Sequence, residues 1–251
     1  MAQGKSSLGI YLRALRTVFN MAKIDRSLYP FGEEKSGSTL KTLPKNNKAL
    51  LEDLRGNIYM FSAAKTFQQV LELNDKLIDE HGTVRPFNEF KKDADRIFDT
   101  YDKDYLKTEY DTAIGQGLMA NQWQRIQREK DILPYLQYST IGDPCDICAP
   151  LDGLTAPVDD PIWDTIMPMN HFNCGCIVEQ LDKEEGEASA TKNISEITGP
   201  AIDKMSDAFK INPGKDGYVF SLEHPYFTVP KKYKELAEKN FNLKIPKDDT
   251  K

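Results

Sequence analysis

The sequence predicts an α+β fold: a helical N-terminal part, a small zinc-ordered antiparallel β module, and a short helical tail. Three observations carry this. From Leu50 to about Glu129 apolar residues recur at spacings of three and four, the helical period. After Pro134 the pattern changes to short runs rich in aromatic and β-branched residues, which read as strands. All four cysteines lie within the 32 residues from Cys145 to Cys176, with His171 among them.

Each element follows in chain order. Leu8, Tyr11, Leu12, Leu15, Val18, Phe19 and Ala22 line one face of a helix over 8–24, and Tyr29-Pro30-Phe31-Gly32 ends it. Residues 33–47 are polar with Gly and Pro, so they read as a linker. Asn47 is a candidate cap for a long helix carrying Leu50, Leu51, Leu54, Ile58, Phe61, Ala64, Phe67, Val70, Leu71, Leu73 and Leu77. Gly82 is a stop signal. Pro86 opens the next helix at its first turn, with the stripe Phe87, Phe90, Ala94, Ile97, Phe98, Tyr101 and Tyr105. Glu109, Tyr110, Ala113, Ile114, Leu118 and Trp123 keep helical register to about Glu129. Tyr135–Ile141 and Cys176–Leu181 read as strands, with the Gly-, Pro- and Asp-rich residues 142–175 looped between them. Residues 182–192 read as a charged, small-residue linker. A helix is expected within 194–209, and a final short one near 231–240.

Charge is unevenly distributed. Residues 1–50 carry nine Lys/Arg against three Asp/Glu, a net of +6; residues 51–251 carry 24 against 36, a net of −12. The basic stretch offers a contact for an anionic partner such as DNA, although a solvated basic arm explains the charge as well. The acidic remainder is a poor nucleic-acid binder. No run of eighteen apolar residues occurs, so no segment is expected to span a membrane. Leu8–Phe19 is interrupted by Arg13 and Arg16 and is not read as a signal peptide. The expected compartment is therefore cytosolic, in a cell or in a virus made inside one.

In that setting disulfides are disfavoured and clustered thiols point to metal. Cys145-x-x-Cys148 is one half-site: two thiolates three positions apart on a tight turn can grip one tetrahedral ion. His171-x-x-Cys174-x-Cys176 is the other. Five candidates compete for four positions. Cys145, Cys148 and His171 are expected ligands, and the fourth is Cys174 or Cys176, the spare thiol packing as a small hydrophobe. The competing readings are reduced thiols or a redox pair, but a redox dithiol is expected at a helix start in a βαβ context, which is absent here. Four protein ligands close the shell, which favours one structural Zn2+ over a catalytic one with an open position. Asp152, Asp159, Asp160 and Asp164 are read as turn formers and solvated loop residues. A metal would order a loop too polar to order itself.

The stretch Leu133–Leu181 resembles the core of the phage Mu F-type head morphogenesis proteins. The residues that carry the resemblance are Gly142-Asp143-Pro144-Cys145-Asp146-Ile147-Cys148, Leu151-Asp152-Gly153, Pro161-Ile162-Trp163, Pro168 and His171-Phe172-Asn173-Cys174-Gly175-Cys176. The helix around Thr108-Glu109-Tyr110 to Ala113, with Trp123, is similar to the family's helical half, so the likeness covers roughly 60–182. One departure stands out: the family commonly has Pro-Pro and an Arg between the last two cysteines, where this chain has Met167-Pro168 and Gly175. The ligands survive, but an anion contact by that Arg is lost. The resemblance implies a non-enzymatic minor head protein of a tailed phage, placed in the virion head near the portal protein and linked to genome packaging or ejection. It also implies a division into a basic helix and linker (1–45), a head-morphogenesis domain (46–182, helices to 130 and zinc module from 131), and a linker with helical tail (183–251).

Residues 7–32 separately resemble the end of the core-binding domain of tyrosine recombinases, a helical module that grips DNA. Recombinase chemistry is not expected, since no His-x-x-Arg occurs: His81, His171 and His224 are followed three residues on by Val84, Cys174 and Phe227. Packing on neighbouring helices explains the stripe of 8–24 equally well. The alternative for the whole chain is a zinc-containing DNA-binding or HNH-like nuclease module. Such a nuclease needs further histidines, and His81 and His224 lie far from the cluster in sequence. Some Mu F-type proteins end in a toxin enzyme, but residues 210–230 are too short for one. His224-Pro225-Tyr226-Phe227 is expected to pack on the main body, and Asn212-Pro213-Gly214 to form a turn.

Overall fold

The computed structural model describes residues 45–241; the basic helix expected over 8–24, the recombinase-like stretch and most of the first linker lie outside the described residues. Within them the class is α+β, with helices and one three-stranded antiparallel sheet. Helix α1 (Lys45–Leu77) and helix α2 (Phe87–Asp99) form a hairpin. Its turn is closed by a bridge between Ile78 and Val84, by Asp79 Oδ1 accepting from the backbone N–H of His81 and Thr83, and by Gly82 at φ +77°. Asn47 sits in the first turn of α1 rather than at its cap, where a backbone N–H needs no intrahelical acceptor.

A π-helical turn at Thr100–Asp104 leads into helix α3 (Leu106–Glu129). This helix is shared by two cores. Ala113 and Ala120 pack with Leu54, Ile58, Phe61 and Phe67 of α1, whereas Trp123 and Ile126 pack against the sheet. The expected stripe on α2 is only partly used: Ala94, Ile97 and Tyr101 are buried, but Phe87 and Phe98 are exposed.

Strands β1 (Tyr135–Ser139), β2 (Thr155–Pro157) and β3 (Ile177–Leu181) pair in the order β2-β1-β3. Tyr138 lies opposite Val178 and Leu136 opposite Ala156, so the inward residues of all three strands share one face. Strand β2 falls in the stretch expected to be loop; at three residues ending in Pro157, on a sheet edge, it is too short for the period-2 signal. Between β2 and β3 lies the one-turn helix α4 (Trp163–Ile166), whose Trp163 is fully buried and donates from Nε1 to Pro157 O at 2.9 Å.

The linker expected at 182–192 contains helix α5 (Lys183–Ser189). Asp182 caps it, accepting from Glu185 N at 2.9 Å, and Asp-x-x-Glu is the start signal that outweighs the small-residue composition. Gly186 lets α5 lie on β1, because a Cβ there would overlap the Tyr135 ring. Helix α6 (Ile194–Lys204) then ends at Met205, short of the expected Phe209, which belongs to a separate 3-10 turn at Asp207–Phe209.

Asn212-Pro213-Gly214 is not a plain turn but the start of the one-turn helix α7 (Pro213–Asp216), capped by Asn212 Oδ1. Among the described residues the last element is helix α8 (Lys234–Phe241), which follows a 3-10 turn. The tail packs on the helical half, as expected for His224-Pro225-Tyr226-Phe227. Phe220 stacks on Phe61 at 3.7 Å and His224 meets the same ring edge-on at 5.0 Å. Asn57 clamps the backbone of Val219 and Phe220 through three hydrogen bonds, and Gln68 donates to Tyr226 O and Thr228 O. Beneath the tail, Lys65 of α1 donates to Glu109 of α3 at 2.6 Å and to Tyr101 O at 2.7 Å, while the Tyr226 hydroxyl donates to the other Glu109 oxygen at 2.8 Å.

Candidate metal centre

The first half-site is a turn held by its own backbone. Cys148 N and Ala149 N both donate to Cys145 O, at 3.0 and 2.8 Å, and the chain continues into a 3-10 turn at Ala149–Leu151. Both thiols are thereby carried on one tight curve. Cys148 is 1% exposed and Cys145 is exposed. Gly153, at φ +73°, returns the chain to β1, where Gly153 N donates to Tyr138 O at 2.8 Å. Asp152 caps the end of β1 by accepting from Thr140 N and Oγ1; those hydrogen bonds hold its carboxyl below the usual range.

The second half-site is set by the start of β3. Cys174 N donates to His171 O at 3.2 Å, and Asn173 takes the left-handed conformation that Asn tolerates, with φ +59°. Phe172 meets Phe209 edge-on at 4.8 Å, which pins this turn to the 3-10 turn after α6. Cys176 directly precedes β3, and Cys174 and Cys176 are both buried.

The fold brings all five sequence-predicted residues together. They form two overlapping groups, Cys145–Cys148–His171 and Cys148–Cys174–Cys176, each with its donor atoms within 4.8 Å of one another. Cys145 Sγ lies 3.2 Å from His171 Nε2, and Cys148 Sγ lies 3.9 Å from Cys174 Sγ. Ligands at about 2.0 to 2.3 Å from one tetrahedral ion sit roughly 3.3 to 3.8 Å apart, so one pair is slightly closer and the other slightly wider than a tetrahedron's edge. The imidazole is also prepared. His171 Nδ1 lies 2.8 Å from Phe172 O, and donation there leaves Nε2 unprotonated and facing Cys145. The donor set could therefore hold a metal ion, with Cys148 common to both groups.

The Cys174 thiol is held far below its ordinary pKa by hydrogen bonds from Cys148 and then Cys176, while Cys148 is pushed far up by its bond to Cys174, then by that to Cys176 and by burial. Several adjacent buried thiols cannot all ionise unless a cation neutralises them.

Two residues missed by sequence reasoning complete the inner wall. The Tyr138 hydroxyl, on a fully buried side chain, donates to Cys148 Sγ at 3.4 Å, and Asn170 Nδ2 donates to Tyr138 Oη at 3.0 Å. Burial first, then the bond to Cys148, raises the Tyr138 pKa. Alternation in β1 signals that Tyr138 points inward, but not what its hydroxyl meets.

The nearby aspartates have the structural roles expected of them. Asp159 pairs with Lys130, Asp164 with Lys215, and Asp160 Oδ1 accepts from Ile162 N. His81 lies beside Glu80 on the hairpin turn and His224 lies under the tail, so neither joins the cluster. A Cβ built on Gly175 meets nothing within 4 Å, so a larger residue fits there and the Gly175 departure changes a contact rather than the turn.

No curated protein and no solved structure matches the chain. Among family models, the one for phage Mu protein F like proteins matches residues 73–179, a stretch that runs from the end of α1 into β3 and contains Cys145, Cys148, His171, Cys174 and Cys176.

Proposed function

We propose that this chain is a structural, non-enzymatic minor head protein of a tailed phage or prophage, working in head assembly near the portal and in genome packaging or ejection. The observation that carries the reading is the match of residues 73–179 to the Mu F-like family, which spans α2, α3 and the whole cysteine cluster. Cys145, Cys148, His171 and one of Cys174 and Cys176 would hold one Zn2+; Cys174 is favoured because its sulfur lies 3.9 Å from that of Cys148. When bound, the ion supplies cross-linking, tying the Cys145–Leu151 turn to the start of β3. Four protein ligands leave no open position for substrate, which supports a structural role.

The expected partners are the portal and other head proteins, in the virion. No described helix is long and apolar enough to cross a membrane. Residues 51–251 carry a net −12, which disfavours DNA contact by the main body. A pull-down of purified full-length protein with a portal protein of the same phage, with and without nuclease, tests the reading. Co-purification that survives nuclease is the expected result. Co-purification that vanishes after nuclease would replace it with DNA binding through the basic residues 1–45.

A further inference from the structure

We infer that Tyr138, backed by Asn170, is a positioning residue of the metal centre, its hydroxyl donating to the Cys148 sulfur and holding it in place for the ion. The inference rests on the metal reading above and extends it to residues that are not ligands.

The hydrogen-bond geometry turns the hydroxyl towards the thiols. Tyr138 sits mid-strand in β1 at 0% exposure, so its Oη has no access to solvent. A phenol has one proton to give. Asn170 Nδ2 donates to Oη at 3.0 Å, and the O–H turns to the thiols, with Cys148 Sγ 3.4 Å away and Cys176 also within its reach. Asn170 is itself fully buried, and its Oδ1 has no hydrogen-bond partner. That oxygen stays bare because the amide is turned so that its N–H meets the tyrosine. The same residue lies one position before His171, so the relay and the second half-site move as one piece of backbone. Hydrogen bonds of this kind orient ligand atoms, and losing one typically weakens metal binding about 10–100-fold.

A tyrosine that only fills space predicts no such effect, and Tyr138→Phe separates the two because it keeps the ring. Full-length wild type, Tyr138→Phe and Asn170→Leu are compared by metal content, by chelator competition for Zn2+, and by the thiolate-to-metal charge-transfer band of the Co2+-substituted protein. Wild type should hold about one equivalent of metal. Tyr138→Phe should bind roughly 10–100-fold more weakly, with its charge-transfer band moved to lower energy. Asn170→Leu should shift both in the same direction by less, while retaining the fold because it removes an unpartnered buried oxygen. The double variant should be no weaker than Tyr138→Phe. If Tyr138→Phe fails to fold, the Asn170→Leu spectrum decides. Unchanged affinity and an unchanged band in the variants overturn the Tyr138 inference alone. Wild type that takes up neither Zn2+ nor Co2+ overturns the metal reading itself.

Discussion

Replacing Glu109 with Leu is expected to be among the most damaging single changes outside the metal centre. The Lys65 ammonium is 1% exposed and the Glu109 carboxylate 4% exposed, with 2.6 Å between them. Without the carboxylate, Lys65 retains Tyr101 O as a neutral acceptor, and the Tyr226 hydroxyl loses its partner. Breaking a buried pair from one side costs about 3–5 kcal/mol, chiefly from the charge left behind. In a chain of this size each kcal/mol lowers Tm by about 2–4 °C, so a fall of roughly 6–20 °C is expected. Lys65→Met alone should act similarly. The double variant Lys65→Met/Glu109→Leu should recover to within about 1–2 kcal/mol of wild type, because apolar side chains replace a buried pair at little cost. Denaturant unfolding followed by far-ultraviolet circular dichroism on all four proteins measures the cycle. Single variants that cost less than about 1 kcal/mol, or a double variant whose loss is the sum of the two, would refute the reasoning.

Two further outcomes are expected. Cys148→Ser should expose residues 142–176 to limited proteolysis while protecting α1 and α3, since metal binding energy couples to folding where the ligands are; uniform protection would make the site dispensable. His224 is held neutral by burial, its pKa lowered from 6.5 to about 4. Its contribution is therefore present above pH 6.5 and lost as pH falls from 6.5 towards 4, up to about 3 kcal/mol. The loss should flatten in His224→Gln, and an unaltered pH slope would show that other groups cause it.

What was legible in the sequence was whatever depends on near neighbours. The period of Leu54, Ile58, Phe61 and Phe67 reports one face of α1, and the spacing of Cys145, Cys148, His171 and Cys174 reports two half-sites on two tight turns. What was missed depends on residues distant in sequence, or on competition between local signals. Lys65 lies between Ala64 and Phe67, and a lysine by itself reads as solvated; only Glu109, 44 positions on, makes burial tolerable. Asn57 reads as a polar helix residue until the tail, more than 160 positions later, presents its backbone. In 182–192 the small residues suggested a linker, and the Asp182 cap with a seat for Gly186 on Tyr135 decided for a helix. Tyr138 was legible as a strand residue and illegible as a neighbour of sulfur.

The placement of the cluster explains why a structural ion suits this fold. The helical half closes its own core with α1, α3 and the tail, whereas the sheet core is built from three short strands and irregular turns. Among the contacts that tie the sheet core to the rest are two anchors: Trp123 of α3, against which Gly214 packs with no room for a Cβ, and Phe209, which meets Phe172 beside His171. Both act from the flanks. Between them, residues 142–176 contribute one three-residue strand, the one-turn helix α4 and a 3-10 turn, and the turns that carry the thiols leave Cys148 and Cys174 buried beside one another. A cross-link at that point joins the exit of β1 to the entry of β3 from within, where neither anchor reaches. A metal ion held there would order these turns, because its binding energy couples to folding where the ligands are.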